Sequence, residues 1–300
     1  MTHDGTAGAT RTLRSIAAVI ATYEPGDNLR VQRDALTADG VTVYVVDDAT
    51  PSDAGRALLD EVAARGTRVL RKPTNSGIGT SLNLGVAAAL DDGHDAVLTF
   101  DQDSTTPDGY VAAAVAHLEQ LLSDGARPGL VAPASNSGEA VRGLATTPEG
   151  RTTVMFPIQS GCLYPADALR TTGTFREPFV MDAIDHDYAL RLRAHGYEIY
   201  AVPGLDLSHQ LGDPDHRTWR GQPVVVSNHS ATRQYYQFRN RVVLLREYLR
   251  KDPSWARELA IAHVRETRRI LFFEKHRARK AWTILTASVA GLLGRTGPRR

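Results

Sequence analysis

The 300-residue sequence predicts an α/β protein: a mostly parallel central sheet flanked by helices, with a helical extension at the C-terminal end. Three observations carry this. Short apolar, β-branched runs alternate with helical stretches over residues 15–125, the pattern of parallel strands joined by crossovers. The runs end in Asp, Asn, Gly or Thr-Tyr-Glu, and ligands of such sheets bind beyond the carboxyl ends of the strands. From residue 229 onward the periodicity is helical.

Taken in order, SIAAVIATY (15–23) reads as a buried strand closed by the turn residues EPGDN. DNLRVQRDALTADG follows as a helix, with Asp27 as N-cap and Gly40 just past its end. VTVYVVDDAT (41–50) is the second strand and ends in two aspartates; SDAGRALLDEVAARG is helical and TRVLRK is the third strand. NSGIGTSLNLGVAAALDDG opens with a glycine-containing turn and continues as a helix. DAVLTF is the fourth strand, with DQD just beyond it, and PDGYVAAAVAHLEQLLSDG is a helix with Pro107 at its first position. Beyond residue 128 the pattern is mixed. IDHDYALRLRAHGYEIY (184–200) reads as a helix entered through acidic residues and closed by Gly196, and HSATRQYYQFRNRVVLLREYLRK (229–251) as another helix. Residues 1–14 and the tail RTGPRR are expected to be disordered.

Composition narrows the function. The apolar fraction of 42% supports a sizeable core, and a net charge of +1 gives no sign of a nucleic-acid binder. One cysteine, Cys162, excludes an intramolecular disulfide framework and a Cys-rich zinc site. No signal peptide is read, and AWTILTASVAGLLG (281–294) is too short to span a membrane, so a cytoplasmic location is expected. Charge is unevenly spread. Residues 239–300 hold 16 Lys+Arg against 5 Asp+Glu, a net of 16 − 5 = +11, which leaves 1 − 11 = −10 for the first 238 residues. That asymmetry suggests a cation-handling site in the first part and a basic surface in the last.

The chemistry concentrates in a few places. Asp101 and Asp103, at a strand end, suit a hard divalent cation shared with substrate phosphates, Mg²⁺ or Mn²⁺; a solvated turn is the ordinary alternative. Asp185 and Asp187 sit near a helix N-terminus, where the dipole favours negative charge, and Asp185 is also a candidate general base. His209 is a candidate for completing a metal shell, although a lone histidine is more often an ordinary surface or core residue. Cys162 has no base partner in view and reads as a packed small residue.

The ordered set ATYEP, VVDDAT, NSGIGTSLNLGV, FDQDS, IQSG, IDHDYALRLRAHGY, HQLGD and RQYYQFRNRVVLLREY resembles the rhamnosyltransferase branch of the family-two glycosyltransferases, from about Ile16 to Tyr248. The resemblance implies a GT-A fold over 15–228, with a nucleotide-binding part (15–104), an acceptor-binding part (105–228) and a basic helical extension (229–300). It also implies metal-dependent, inverting transfer of a sugar from a nucleotide diphosphate sugar. The expected donor is dTDP-L-rhamnose, with another nucleotide sugar such as UDP-galactofuranose as the alternative. The expected acceptor is a cell-surface polysaccharide or lipid-linked glycan.

Carried over by position, Thr22, Tyr23, Glu24, Asp47, Asn75, Gly77, Asp101, Gln102 and Asp103 match the nucleotide-sugar site. Asp103 and His209 match metal ligands and Asp185 the catalytic base. Arg191 matches a helix residue near the site, and Ser160, Gly161, Asp182 and Asp187 are candidates for the acceptor or diphosphate region. Tyr235, Tyr236, Arg239 and Asn240 are candidates for lining it too, with a helix packed on the catalytic domain and a solvated basic face as the ordinary alternative. Two positions depart from the pattern: Glu24 stands where Asn is common and adds charge near a diphosphate, and Cys162 stands where Ser is frequent. The basic residues around 281–294 suit either a helix in an anionic membrane interface at the cytoplasmic face or a contact within a homo-oligomer.

Two other classes share features. A haloacid-dehalogenase phosphatase also uses Asp-x-Asp, but there it follows the first strand and here the fourth. A non-catalytic nucleotide-sugar-binding protein could use the same scaffold, against which stand Asp185 and His209.

Overall fold

A computed structural model describes residues 12–209, 215–219, 222–226 and 228–299, without the side chains of 209, 215–219 and 222–226. Most of the expectation for residues 1–14 therefore lies outside the described residues. The elements are β1 (Ile16–Thr22), α1 (Asn28–Ala38), β2 (Thr42–Asp47), α2 (Asp53–Ala64), β3 (Arg68–Arg71), α3 (Ile78–Asp91), β4 (Ala96–Asp101), β5 (Ser104–Thr105), α4 (Tyr110–Ser123), β6 (Pro128–Asn136), β7 (Glu139–Ala140) and β8 (Leu144–Thr146). There follow β9 (Thr152–Val154), β10 (Cys162–Pro165), α5 (Ala166–Thr172), a 3-10 turn (Glu177–Phe179), α6 (Ile184–Ala194), β11 (Glu198–His209), β12 (Asp215–Trp219), β13 (Gln222–Val226), α7 (Ala231–Tyr248), α8 (Pro253–Phe273) and α9 (Arg277–Leu292). The chain forms two compact units, Met1–Phe175 with Tyr188–His209, and Arg176–Asp187 with Gln210–Arg300.

The first unit is built on a sheet of order β3-β2-β1-β4-β10-β6-β11-β9-β8. Strands β3, β2, β1 and β4 are parallel, as the βα alternation predicts; β10 is antiparallel to both its neighbours, and β6 and β11 are parallel to each other. Side chains alternate across β1. Ala18 and Ile20 join the core that holds Leu36 of α1, Leu59 of α2 and Leu118 of α4. Val19 points the other way, towards α3, where a Cβ on Gly85 would stand 2.4 Å from its Cγ1. Gly85 is what lets α3 lie this close to the sheet.

The second unit holds the hairpin β12–β13 and the three helices α7, α8 and α9. Phe238, Ile270, Ile284 and Ala287 form its apolar centre, one or two from each helix. Asp252 caps α8 by accepting the Trp255 N–H at 3.0 Å, and the Trp255 side chain is buried.

Four expectations need correction or refinement. Pro107 is not the first residue of α4: Gly109, left-handed at φ 76, is the N-cap, and the Tyr110 N–H reaches back to the Pro107 carbonyl in a turn. Asp27 occupies the N-cap position of α1, but its carboxylate pairs with Arg30 rather than capping the helix. Leu13 and Arg14 are ordered, because their N–H groups donate at 2.7 Å to Glu119 and Asp95 respectively. The tail 295–299 is also placed: Gly297 N–H donates to the Pro178 carbonyl at 2.7 Å, and Arg299 N–H to the Tyr236 hydroxyl at 2.8 Å.

Candidate active site

Strands β2, β1 and β4 end level with one another. Thr22 pairs with Asp47, and Ala21 with Asp101, so the last residues of three strands share one edge. Strands β2 and β3 build to one side of β1 and β4 lies on the other. A crevice opens beyond the carboxyl ends at such a reversal, and it is the usual ligand position of open α/β sheets. Across this reversal the Tyr23 N–H donates to Gln102 Oε1 at 2.8 Å.

Each loop on this edge is held by short-range polar contacts. Asp47 Oδ1 accepts the Thr50 N–H at 2.9 Å, an Asx-turn that fixes the end of β2. Asp48, not expected as a site residue, accepts the N–H groups of Ser76 (2.8 Å) and Gly77 (2.9 Å) and pairs with buried Lys72 at 2.6 Å. It thereby shapes the Asn75–Gly77 turn, in which Asn75 is exposed. Glu24 is left-handed at φ 52, and its carboxylate accepts the Ser52 N–H at 3.1 Å and the Ser52 hydroxyl. Ser52 is the N-cap of α2, so the added charge of Glu24 is met by a helix N-terminus.

The Asp101–Ser104 turn is closed by residues 159–161. Ser160, fully buried, accepts the Asp101 N–H at 3.0 Å and lies 2.7 Å from the Ser104 hydroxyl. The Gln159 amide donates to Asp101 Oδ1, and the Gln159 carbonyl accepts the Thr99 hydroxyl at 2.6 Å. Gly161 adopts φ 81, and a Cβ there would sit 2.3 Å from the Tyr110 hydroxyl oxygen. Next to it Cys162 is buried, with its thiol donating to the Ile158 carbonyl at 3.0 Å, in keeping with a packing residue. Gln159 was missed by sequence reasoning because a single neutral amide has no chemistry of its own; its only signal is its place in IQSG.

Asp101 and Asp103 are both half-buried on this turn. Two carboxylates, with other positions left to phosphate oxygens and water, match how Mg²⁺ and Mn²⁺ are held at diphosphate sites. Among the described residues no group of three His, Cys, Asp or Glu side chains makes a complete cage. The register of β5 with β11 sets His209 opposite Ser104, the residue after Asp103. The expectation that its imidazole joins the shell falls on a side chain outside the described ones. Arg191, also in this unit, donates to the carbonyls of Thr172 (3.0 Å) and Thr174 (2.8 Å) and stacks over Tyr188, so it fixes the end of α5.

In the second unit the segment before α6 is strained. Val180, Asp182 and Ala183 are all left-handed, at φ 65, 60 and 61. For residues with a Cβ this costs energy that something must offset. Asn240 supplies it: its amide nitrogen lies 3.0, 2.8 and 2.9 Å from the carbonyls of Phe179, Met181 and Asp182. Arg239 adds donors to Pro178 (3.1 Å) and to Gly297, and its guanidinium lies over Tyr236. Arg239 and Asn240 are buried, and Tyr235 packs under Arg299.

Asp185 follows directly, half-buried in the first turn of α6, and accepts the His186 N–H at 2.8 Å. Asp187 is buried and pairs with Arg176 at 3.1 Å; Arg176 also forms a fork with Glu247 at 2.7 and 2.8 Å. Burial raises the pKa of Asp182, and Arg233, 3.4 Å away, only partly opposes this.

The arrangement of strands, reversal and acidic turn defines a GT-A fold. Two solved structures share it over most of this chain: the mannosyltransferase PcManGT from Pyrobaculum calidifontis in complex with GDP-Man and Mn²⁺ (TM-score 0.58, 16% identity, 95% of this chain and 75% of that one), and S. aureus TarS 1–349 in complex with UDP-GlcNAc (TM-score 0.60, 14% identity, 93% and 81%). The chain also matches GalNAc-T7, solved with UDP, GalNAc and Mn²⁺, and spans about half (48%) of that protein's length (TM-score 0.59, 12% identity, 78% of this chain). Residues 12–175 match Glycosyl transferase family 2, and the chain belongs to that family. It is 24% identical over 297 residues to the dTDP-rhamnosyl transferase RfbF of Shigella flexneri, covering 95% of this chain and 98% of RfbF. With the family, the phosphatase reading lapses.

Proposed function

We propose that the chain transfers L-rhamnose from dTDP-L-rhamnose to a glycan acceptor with inversion at C1. The observation that carries the reaction class is the Asp101–Asp103 turn at the end of β4, level with Thr22 and Asp47 on adjacent strands. The likeness to RfbF along nearly its whole length supports the choice of sugar.

Thr22, Tyr23 and Asp47 border the nucleoside, with Asn75 and Gly77 beside it. Asp101 and Asp103, with His209, would hold Mg²⁺ or Mn²⁺, which supplies charge neutralisation for the departing diphosphate. Asp185 takes the proton of the acceptor hydroxyl as that oxygen forms its bond to C1. The C1–phosphate oxygen bond breaks in the same displacement, and its electron pair leaves on the nucleotide diphosphate. One displacement and no enzyme-bound sugar give the opposite anomer. Asp182, Asp187, Tyr235, Tyr236, Arg239 and Asn240 shape the segment that presents Asp185. No helix among the described residues is long and apolar enough to cross a membrane. We place the enzyme at the cytoplasmic face, working on a lipid-linked glycan.

The test is nucleotide release and thermal stabilisation with dTDP-, UDP- and GDP-sugars, with and without Mn²⁺, on wild type and Asp103→Ala. A metal-dependent response to dTDP-rhamnose that the variant loses is expected. A response to a UDP-sugar instead would discard the sugar and keep the reaction. Binding without turnover in the presence of glycan acceptors would favour the non-catalytic alternative.

A further inference from the structure

A cavity of about 540 Å³ in the second unit is lined by His229, Ser230, Lys275, His276, Arg279 and Lys280, among others. Two long helices begin on it. Ser230 is the N-cap of α7 and His276 the N-cap of α9, so the positive ends of both dipoles border the cavity. Ser230 caps α7 by accepting the Arg233 N–H at 3.2 Å, whereas no side chain caps α9. Lys280 is buried and its ammonium is matched by buried Glu274, which the Gln234 amide also contacts at 3.0 Å. Lys275 and Arg279 are exposed and add positive charge beyond that balance. The pocket is therefore suited to an anion.

The helix that leaves the pocket says what kind. Arg279 has Trp282 as its i+3 neighbour on α9. From there the exposed face runs Trp282, Leu285, Val289 and Leu292, which are 65, 54, 47 and 59% exposed. No charged residue falls between Ala281 and Gly294. The opposite face is buried: a Cβ on Gly291 would stand 2.6 Å from the Arg239 carbonyl oxygen of α7. So α9 packs on α7 with one side and presents an apolar stripe with the other, with Arg279 at one end and Arg295 and Arg299 at the other.

We propose that the pocket binds the phosphate group of a lipid, with the stripe of α9 resting on the acyl or prenyl chains. A charged head beside a hydrocarbon surface matches a cationic pocket beside an apolar stripe. Charge argues against a second copy of the chain as the occupant. Residues 239–300 carry a net +11 (16 Lys+Arg less 5 Asp+Glu), and a symmetric contact would bring like charges together. A phospholipid headgroup and a lipid-linked phosphate offer the same chemistry. The inference deepens the reading of the acceptor as a lipid-linked glycan, but it does not depend on which sugar is transferred.

The test uses the full chain and flotation with three kinds of phosphatidylcholine vesicle: plain, with phosphatidylglycerol, and with a prenyl diphosphate. Binding to an anionic kind is expected, and which kind identifies the source. Lys275→Gln with Arg279→Gln should lower the bound fraction about tenfold or more, as should Trp282→Ser with Leu285→Ser. Lys275→Arg with Arg279→Lys should bind as wild type does. Nucleotide-sugar stabilisation, measured on the same samples, reports the donor site separately, so a wrong donor assignment would not be mistaken for a failed lipid site. Absence of binding to both anionic kinds overturns the proposal. So does unchanged binding in the Gln variant, or equal loss in the charge-preserving variant.

Discussion

The strand-end loops of the first unit and the 176–187 segment of the second unit are both acidic, but they are held in different ways. Asp47, Asp48 and Glu24 are fixed by partners in the next turn or at the adjacent strand end: Thr50, Ser76, Gly77 and Ser52. The 180–183 segment has left-handed residues with side chains, and its carbonyls are bound by Asn240, about 60 positions later. A parallel sheet places its loops by geometry, so local turn chemistry is enough. A strained segment ahead of a helix has no such template and needs a distant clamp. The two regions should therefore fail separately when perturbed.

The largest effect expected from that separation is in turnover. Asp185→Asn should lower kcat by about 10²–10⁴-fold, the range for loss of a general base. Nucleotide-sugar affinity should stay within about twofold, because the loops on the proposed donor edge keep every contact described for them. A parallel loss of donor affinity would sink the division of labour; unchanged kcat would sink the role of Asp185.

Asn240→Ala comes next. It takes the described donor from the carbonyls of Met181 and Asp182, while that of Phe179 keeps the Met181 N–H at 2.7 Å and Arg239 at 3.4 Å, and Val180, Asp182 and Ala183 stay left-handed. Unsatisfied buried groups cost about 1–3 kcal/mol each. Solvent reaches some of the carbonyls once the clamp is gone, so a loss of about 2–4 kcal/mol in stability is expected in a denaturant titration. kcat should fall with it while donor binding persists. A variant as stable as wild type would mean that the segment holds itself.

How much could be read in advance follows the same division. The four parallel strands, the helices between them and the acidic edge were legible, because apolar runs and Asp/Asn/Gly turns are local signals. The acidic entry of α6 was legible too. The clamp was not: Asn240 and Arg239 sit in a helical stretch whose aromatic and basic spacing fits many roles, and nothing in the sequence says which carbonyls they meet. Nor was the order of the tail, since RTGPRR looks like any polar terminus until Gly297 meets Pro178 and Arg299 meets Tyr236. Pro107 misled because Pro is favoured at a first helical position; Gly109, two residues on, takes the left-handed cap instead.

Within the first unit, Ser160→Ala asks how local the hold on the Asp101–Ser104 turn is. The hydroxyl serves Asp101 N–H and Ser104 at once, and both contacts are buried or half-buried. About 1–2 kcal/mol of stability should be lost. The concentration of Mn²⁺ needed for half-maximal donor binding should rise several-fold, since the Asp101–Ser104 turn would be less well fixed. An unchanged metal requirement would separate this clamp from the cation site.

The smallest expected effect concerns the second unit alone and is read through pH. His263 stacks edge-on against Phe238, with ring centroids 4.8 Å apart, and its Nδ1 has no hydrogen-bond partner among the described residues. Burial lowers its pKa from 6.5 to about 4, helped by the nearby charge of Arg241. Above pH 6.5 the imidazole is neutral in both folded and unfolded chains and adds no pH dependence. Between 6.5 and 4 the unfolded chain binds a proton that the folded chain refuses, so stability falls as pH falls through that window. The group is only partly buried, so the loss should be at most about 1 kcal/mol. His263→Gln should reduce the difference in melting temperature between pH 7 and pH 5 while leaving the pH response of donor binding, which we propose belongs to the first unit, as it was. If the slope is as steep in the variant as in wild type, it comes from other groups such as His117 and His229, which burial also pushes down, and His263 is not its source.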